Sequence, residues 1–315
     1  MKKSRRSTAK NKKAAPSVSR RFALDEWEKD PLAVRQQLRR LVGEQANRQE
    51  ASKRGGQKEN YLYLYDGYLK EGAYRSILAI IENSLADFEI EGKIVRLSAF
   101  TNPRLVIEDE MRHGAKNVVM VGNDETLAKV LTRAADLGVT FGFLPVGQKK
   151  NYLAKVLGLP LNEEAVETLA ARKIEKIDYA SINGNRFFLS YLYIPAARVK
   201  VECDRNFTIQ PSREKFELAV ANLLPPPFAS DRFSLHPQDG QMEFYLRVAK
   251  PGMLASLVKS RYQARESVFP FQHLFIKSDK PMTVVADGKE TQELSVEIAV
   301  AKDKLKMIVG RERQF

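Results

Sequence analysis

From residue 60 to about residue 160 the chain alternates between two periodicities, and this alternation limits the possible folds more than any other feature. YLYLY (61–65) is a short run of β-formers, and AYRSILAIIENSLADFEI (73–90) follows with helical spacing at Ile77, Ile80, Ile81, Leu85 and Phe88. The same succession recurs in GKIVRLSAF and PRLVIEDEMRH, in NVVMVG and ETLAKVLTRAADLG, and in VTFGFLPVG and NYLAKVLGLP. Strands separated by helices of roughly ten to eighteen residues require crossover connections, hence a parallel sheet with helices on both faces. A three-layer α/β domain is the expectation, with ligands bound beyond the carboxyl ends of the strands.

Beyond residue 170 the pattern changes. KIEKIDYASING, NRFFLSYLYIP, ARVKVECD, FTIQP, MEFYLRVAK, TVVADG and LSVEIAVA read as short strands, with turns at Asn183-Gly184 and Asp239-Gly240. Helical spacing returns only in EKFELAVANLL (214–224) and GMLASLVKSRYQ (252–263), and SVEIAVAKDKLKMIV (295–309) reads as two closing strands. The second half is therefore expected to be a β-rich domain, a sandwich in architecture.

Before the first strand, 22–51 reads as helical and SKRGGQKEN as a linker. Residues 1–21 hold nine Lys or Arg and no acid, most of the formal net charge of +13. Such a block cannot bury itself and is expected to be a disordered basic tail. Three uses fit it: a solubilising tail, a nucleic-acid arm, or a patch for anionic lipid. No apolar run approaches the ~20 residues of a spanning helix, and no apolar h-region follows the charged N-terminus. A cytoplasmic protein is expected. The one cysteine, Cys203, cannot close a disulfide within the chain, and His113, His236 and His273 are scattered without metal-ligand spacing.

Two loops at strand carboxyl ends carry the candidate chemistry. In VVMVGNDETLAKV (118–130), Gly122 would let backbone approach a phosphate, while Thr126 and the helix N-terminus would donate to it. Asp124 and Glu125 at a helix start are equally ordinary capping and dipole compensation. In LPVGQKKNYLAKVLGLP (144–160), Gly147 gives backbone freedom, Lys149 or Lys150 could meet phosphate, and Asn151 could bond a nucleotide or simply cap the next helix.

The order of these loops resembles the diacylglycerol kinase and sphingosine kinase family of lipid kinases, distant relatives of NAD kinases. The family's Gly-Gly-Asp-Gly-Thr loop is similar to Gly122-Asn123-Asp124-Glu125-Thr126. Its Pro-x-Gly-Thr-x-Asn-Asp-Phe-Ala-Arg stretch resembles Pro145 to Lys155, and its Leu-Gly-x-Pro ending matches Leu157-Gly158-Leu159-Pro160. HPQDGQMEFYLRV (236–248) is similar to a Pro-x-x-Asp-Gly-x-Leu-x-Val stretch, and Ala286-Asp287-Gly288-Lys289 to a Val-Asp-Gly-Glu turn. The likeness runs in order over about residues 60–310.

The resemblance implies an α/β nucleotide-binding domain (60–168) and a β-rich substrate and catalytic domain (169–315), following the tail (1–21) and the helix and linker (22–59). It implies an active-site cleft between the two domains. It also implies ATP-dependent transfer of the γ-phosphate to a lipid hydroxyl at a membrane surface. Gly122, Asn123, Thr126, Gly147, Lys149, Lys150 and Asn151 would contact nucleotide, Asp124 would hold Mg²⁺-nucleotide, and Asp287 would take the hydroxyl proton. Self-association into a homodimer is common in the family. A plain Asp-Gly hairpin turn is the other reading of Asp287.

The chain departs from the pattern at defined places. Asn123 and Glu125 replace glycines, and Glu125 brings a like charge to the phosphates, worth ~4 kcal/mol per charge pair at ~4 Å and an effective dielectric of ~20. Tyr65-Asp66-Gly67-Tyr68 stands for an Asn-Pro-x-x-Gly contact, Ile194-Pro195-Ala196-Ala197 for a Gly-x-Gly-x-Asp-Ala stretch, and Lys289 for a glutamate. These departures motivate a second expectation, a catalytically impaired pseudo-kinase that binds lipid or nucleotide as an interaction module.

Overall fold

A computed structural model describes residues 60–147, 150–210, 215–225, 236–249 and 266–315. The basic tail, the helix at 22–51, the linker, the helix at 252–263 and Lys149 lie outside the described residues. Arg54–Phe315 form one compact unit containing both sheets.

The first sheet has the order β2-β1-β3-β4-β16-β5. Its strands are β1 (Asn60–Tyr65), β2 (Gly92–Arg96), β3 (Ala115–Gly122), β4 (Thr140–Pro145), β5 (Ile174–Ile177) and β16 (Leu305–Ile308). All pair in parallel except β5, which runs antiparallel to β16. The YLYLY run shows why it sits inside. Leu62 and Leu64 join Val118, Met120, Phe141 and Phe143 on one face, under α2 (Pro103–Arg112) and α3 (Asp124–Ala134). Tyr61, Tyr63 and Tyr65 join Val119, Val121 and Leu144 on the other, under α1 (Arg75–Asp87) and α5 (Glu164–Ala171). Strands buried on both faces lose the polar alternation of a half-exposed strand, and three layers result.

The second sheet is antiparallel and ten-stranded, in the order β13-β12-β11-β8-β14-β15-β6-β7, with β9 and β10 attached through β14. It comprises β6 (Ala180–Ile182), β7 (Arg186–Phe188), β8 (Tyr191–Ala197), β9 (Val199–Cys203), β10 (Phe207–Ile209), β11 (Phe216–Ala221), β12 (Met242–Val248), β13 (Ser267–Phe271), β14 (His273–Ala286) and β15 (Lys289–Val300). One core joins Leu218, Phe244 and Phe271 of β11–β13 to Ile276, Val284, Val296 and Ile298 of β14 and β15. Here the expected sandwich is a single sheet whose two halves share that core.

Two segments differ from the expectations. EKFELAVANLL is not a helix: β11 occupies Phe216–Ala221 and pairs with β8 and β12. Leu218 and Val220 enter the shared core, while Ala219 and Ala221 pack with Tyr245 on the opposite face. A strand buried on both sides makes a continuous apolar run, which periodicity alone cannot distinguish from a helix. The two closing strands exist, but they do not form a hairpin. β15 ends in the second sheet and β16 crosses to the first, beside β4, where Leu305 and Met307 fill one face and Ile308 the other. The first sheet therefore takes β5 and β16 from beyond residue 168.

The chain passes between sheets twice, at Asp178–Tyr179 and at Ala301–Lys304, and the two passages are tied together. Ala301 N–H donates to the Tyr179 carbonyl at 2.9 Å. The Lys304 ammonium meets the fully buried Asp178 carboxylate at 2.5 Å and also donates to the Gln238 carbonyl at 2.9 Å. Gly240 N–H donates to the other Asp178 oxygen at 2.9 Å. No described helix is long and apolar enough to cross a membrane.

Removing one partner of a buried pair leaves an uncompensated charge. Lys304→Ala should therefore lower the unfolding free energy by roughly 3 kcal/mol in urea denaturation. A loss below about 1 kcal/mol, the scale of a surface pair, would show that this pair does not clamp the two passages.

Candidate active site between the two sheets

The β3–α3 and β4–α4 loops, with α4 at Tyr152–Val156, come together at the carboxyl end of the first sheet. Val146 N–H donates to the Gly122 carbonyl at 2.7 Å, and Asp124 N–H to the Lys150 carbonyl at 2.9 Å. Asn123 is the N-cap of α3. Its side-chain oxygen accepts from the N–H groups of Glu125 and Thr126 at 3.0 and 3.2 Å, and Asn123 N–H donates back to the Thr126 hydroxyl at 3.1 Å. That reciprocal box satisfies the donors a helix start otherwise leaves free. The Thr126 hydroxyl donates in turn to Asp66 at 2.8 Å. Gly122 is required for this arrangement, since a Cβ there would lie 2.2 Å from the Thr126 oxygen. The glycine makes room for a hydroxyl of the chain itself, where the sequence suggested room for a phosphate.

The second loop is likewise bonded to itself. Gly147, at φ +87°, donates its N–H to Asn162 at 3.1 Å, and the Asn151 amide donates to the Gly147 carbonyl at 2.7 Å. The Asn151 side-chain oxygen is buried with no hydrogen-bond partner, an acceptor at the floor of the loop. Lys150, also left-handed at φ +60°, turns its ammonium to Glu125 at 2.5 Å. The carboxylate that sequence placed beside phosphate is thus already matched by a cation, on an exposed pair.

Asp124 is not the N-cap of its own helix. Its carboxylate reaches across to the next one, accepting from Tyr152 N–H at 2.6 Å and Leu153 N–H at 3.2 Å. Burial nonetheless pushes its pKa up to about 6, against the pull of those backbone donors, and the charge of Asp287 pushes the same way. That coupling brings residues of the two sheets, 163 positions apart in sequence, within electrostatic reach of each other.

Asp287 does sit in the Asp-Gly hairpin turn that its sequence allowed. It opens a two-residue turn between β14 and β15, with φ +46° at Asp287 and +80° at Gly288, and Ala286 pairs with Lys289. Its carboxylate does not point to solvent. It turns back onto the β7–β8 connection, accepting from Leu189 N–H at 2.7 Å, Ser190 N–H at 2.8 Å, Tyr191 N–H at 3.2 Å and the Ser190 hydroxyl. Asp287 N–H completes the clasp on the Tyr191 carbonyl at 3.0 Å. Four donors stabilise the anion, yet burial outweighs them and holds the carboxyl above its ordinary value.

Asp66 and Ser190 are the side chains that sequence reading missed as members of the site. Asp66 was visible only as a departure from a family contact, and nothing in FFLSYLY distinguishes Ser190 from any strand-end serine. One His–carboxylate grouping occurs among the described residues, Asp109 and Glu110 on α2 with His113 at its C-cap. Its carboxylates are already paired, Glu110 with Lys93 at 2.5 Å and Asp109 with Arg112 at 3.0 Å.

A crossover α/β sheet that carries Asp124 and an antiparallel sheet that carries Asp287 make up one compact unit. Residues 70–182 match the family model of the diacylglycerol kinase catalytic domain. A Bacillus anthracis structure described as a diacylglycerol kinase is similar at 18% identity and a TM-score of 0.63, covering 80% of this chain and 97% of its own. A second structure from that organism aligns at 17% identity and a TM-score of 0.65, covering 80% and 98%. No curated protein matches. The likeness in sequence is confined to residues 70–182, and the likeness to the solved structures is one of fold.

A carboxyl held higher in the folded than in the unfolded chain favours folding when protonated. For Asp124 that gain is complete below pH about 4 and is lost as pH rises through about 6. Wild type should therefore lose stability relative to Asp124→Asn between pH 4 and 7, by up to roughly 3 kcal/mol at ~1.4 kcal/mol per pKa unit. Parallel stability–pH curves for the two proteins would show that ionised Asp124 carries no cost.

Proposed function

We propose that this protein is an ATP-dependent lipid kinase that passes the γ-phosphate of ATP to a lipid hydroxyl at a membrane surface. The observation that carries the reading is the Asp287 carboxylate, held by four donors on the second sheet and felt by Asp124 on the first. A hairpin aspartate with only a turn to make has no use for such a mounting.

In this reading Asp287 is the general base. Its Oδ2 accepts only the Leu189 N–H, so a lone pair remains for the substrate hydroxyl, and its raised pKa makes it a stronger base than a free carboxylate. The proton passes to Asp287 as the hydroxyl oxygen bonds to the γ-phosphorus and the bond to the ADP oxygen breaks. Asp124 is the candidate for Mg²⁺. A hard divalent cation prefers carboxylate oxygen, and a carboxylate whose ionisation is penalised by burial and by a like charge fits one. Bound with nucleotide, the ion would supply charge neutralisation on the phosphates. Asn151 offers its unpartnered oxygen to a donor on the nucleotide, and Lys150 can exchange Glu125 for phosphate.

A second reading, the impaired kinase that binds without turnover, is favoured by one observation. The N–H groups of Asn123, Asp124, Glu125, Thr126 and Gly147 all have acceptors within the chain. Phosphate would have to displace one of them.

Calorimetry or melting with MgATP separates the two. At ~100 times the dissociation constant a bound nucleotide stabilises by ~2.7 kcal/mol, and wild type should show that shift. Asp287→Asn should keep the shift while phosphorylation of diacylglycerol falls by about 10²- to 10⁴-fold. A shift seen only in Glu125→Gly would mean that the Glu125–Lys150 pair shuts the site. No shift in either protein would favour the binding module.

A further inference from the structure

We propose that Asn222 is a positioning residue for Asp287, acting through the peptide groups that grip its carboxylate; the inference rests on Asp287 being the proton acceptor. Asn222 lies at the end of β11, only 4% exposed, an amide in an otherwise apolar setting. Both of its side-chain N–H groups are used, on the carbonyl of Asp178 at 2.6 Å and on that of Leu189 at 2.7 Å. Its backbone N–H donates to the Ser190 carbonyl at 3.0 Å, and Leu223 and Leu224 N–H approach the same oxygen at 3.2 and 3.4 Å.

These contacts fall on the peptide units that hold Asp287, each gripped from its opposite end. The Leu189 carbonyl that accepts from Asn222 and the Ser190 N–H that donates to Asp287 belong to one planar group. The Ser190 carbonyl and the Tyr191 N–H belong to the next. Asn222 therefore fixes the first unit with its side chain and the second with its backbone. A donor at the carbonyl end of an amide polarises it and strengthens the bond its N–H makes. The orientation of the amide, and so the aim of the carboxylate, is set at the same time. The bond to Asp178 ties this assembly to the passage between sheets, where Asp178 meets Lys304.

The side-chain chemistry is specific. Two carbonyl oxygens face the Asn222 amide, so an isosteric aspartate would meet them with lone pairs, and leucine would leave both buried and unsatisfied. The charged and titratable neighbours acting with Asp287 are Asp124 on the opposite sheet and Tyr191 beside it; the Asn222 side chain bonds instead to the Asp178 and Leu189 carbonyls.

The test compares wild type with Asn222→Leu and with Asn222→Ser, which keeps one small donor in case the leucine variant does not fold. With MgATP and diacylglycerol in mixed micelles, kcat should fall by about tenfold to a hundredfold, the scale of a misaimed catalytic group, while KM for both substrates holds. With weaker donors the carboxyl rises, so the acid limb of the pH–kcat profile should move to higher pH. A carbon-13 titration of the Asp287 carboxyl should move the same way, and it needs no turnover. A protein without kinase activity in which this titration still shifts would retire the proposed reaction and keep Asn222 as the residue that sets Asp287. Folded variants with an unmoved carboxyl titration and an unmoved acid limb would assign Asn222 a packing role and overturn the proposal.

Discussion

The Asp287 carboxylate and the Leu189–Tyr191 segment hold each other in place, and most of what is distinctive in the second sheet follows from that mutual grip. A left-handed aspartate at the head of a hairpin needs only to accommodate its own backbone. Here its side chain also terminates three N–H groups of another connection, which buried backbone cannot leave unpaired. The long β14–β15 hairpin is thereby fixed against β7 and β8 at its tip, where pairing between β14 and β8 is reduced to Val285 and Ala286. A carboxylate gripped by that many donors is held in a single orientation, with Oδ2 accepting from Leu189 N–H and Oδ1 from the Ser190 and Tyr191 groups.

The first sheet solves its own loop problem in the opposite way. The helix start at Asn123 and the turn at Gly147 spend their donors on Asn123, Thr126 and Asn162, so the region is stable without a ligand. Loops of this kind in a phosphate site would be expected to leave backbone N–H groups directed outward. The closed bonding reflects the side chains that replace glycine: Asn123 supplies the cap oxygen itself. Asparagine at this position thus does more than fill space, since its side chain satisfies the N–H groups of the helix N-terminus from within the chain.

Much of this architecture could be read from the sequence, because its signals are local. The four strand–helix successions each fell where periodicity placed them, and the division between a crossover sheet and an antiparallel one was visible in the change of pattern near residue 170. Loss of legibility had two physical causes. β11 is buried on both faces and so lacks the alternation that marks a strand, while β16, legible as a strand, returns to a sheet whose other parallel members end some 160 residues earlier. Asp124, Asp287 and the two loops could be singled out in the sequence, but the groups they bond to could not. Ser190, Asp66 and Asn222 gain their roles only from contacts 97, 60 and 33 residues away, which no spacing rule encodes.

The acid in the GNDET loop can now be weighed. Read from sequence, Glu125 was a repulsive charge beside a triphosphate. In the fold it is paired with Lys150, and since both side chains are mostly exposed, such a pair contributes on the order of 0–1 kcal/mol and is screened by salt. Phosphate, carrying more charge than one carboxylate, can compete for the ammonium on those terms. The Thr126–Asp66 bond is different in kind, because Thr126 is fully buried and the other acceptor near its hydroxyl, the Asn123 side-chain oxygen, lies farther off at 3.4 Å. Breaking it would strand a buried donor at a cost of ~1–3 kcal/mol. The shape of this loop is therefore set less by the exposed carboxylate of Glu125 than by the buried Thr126 hydroxyl folded beneath Gly122.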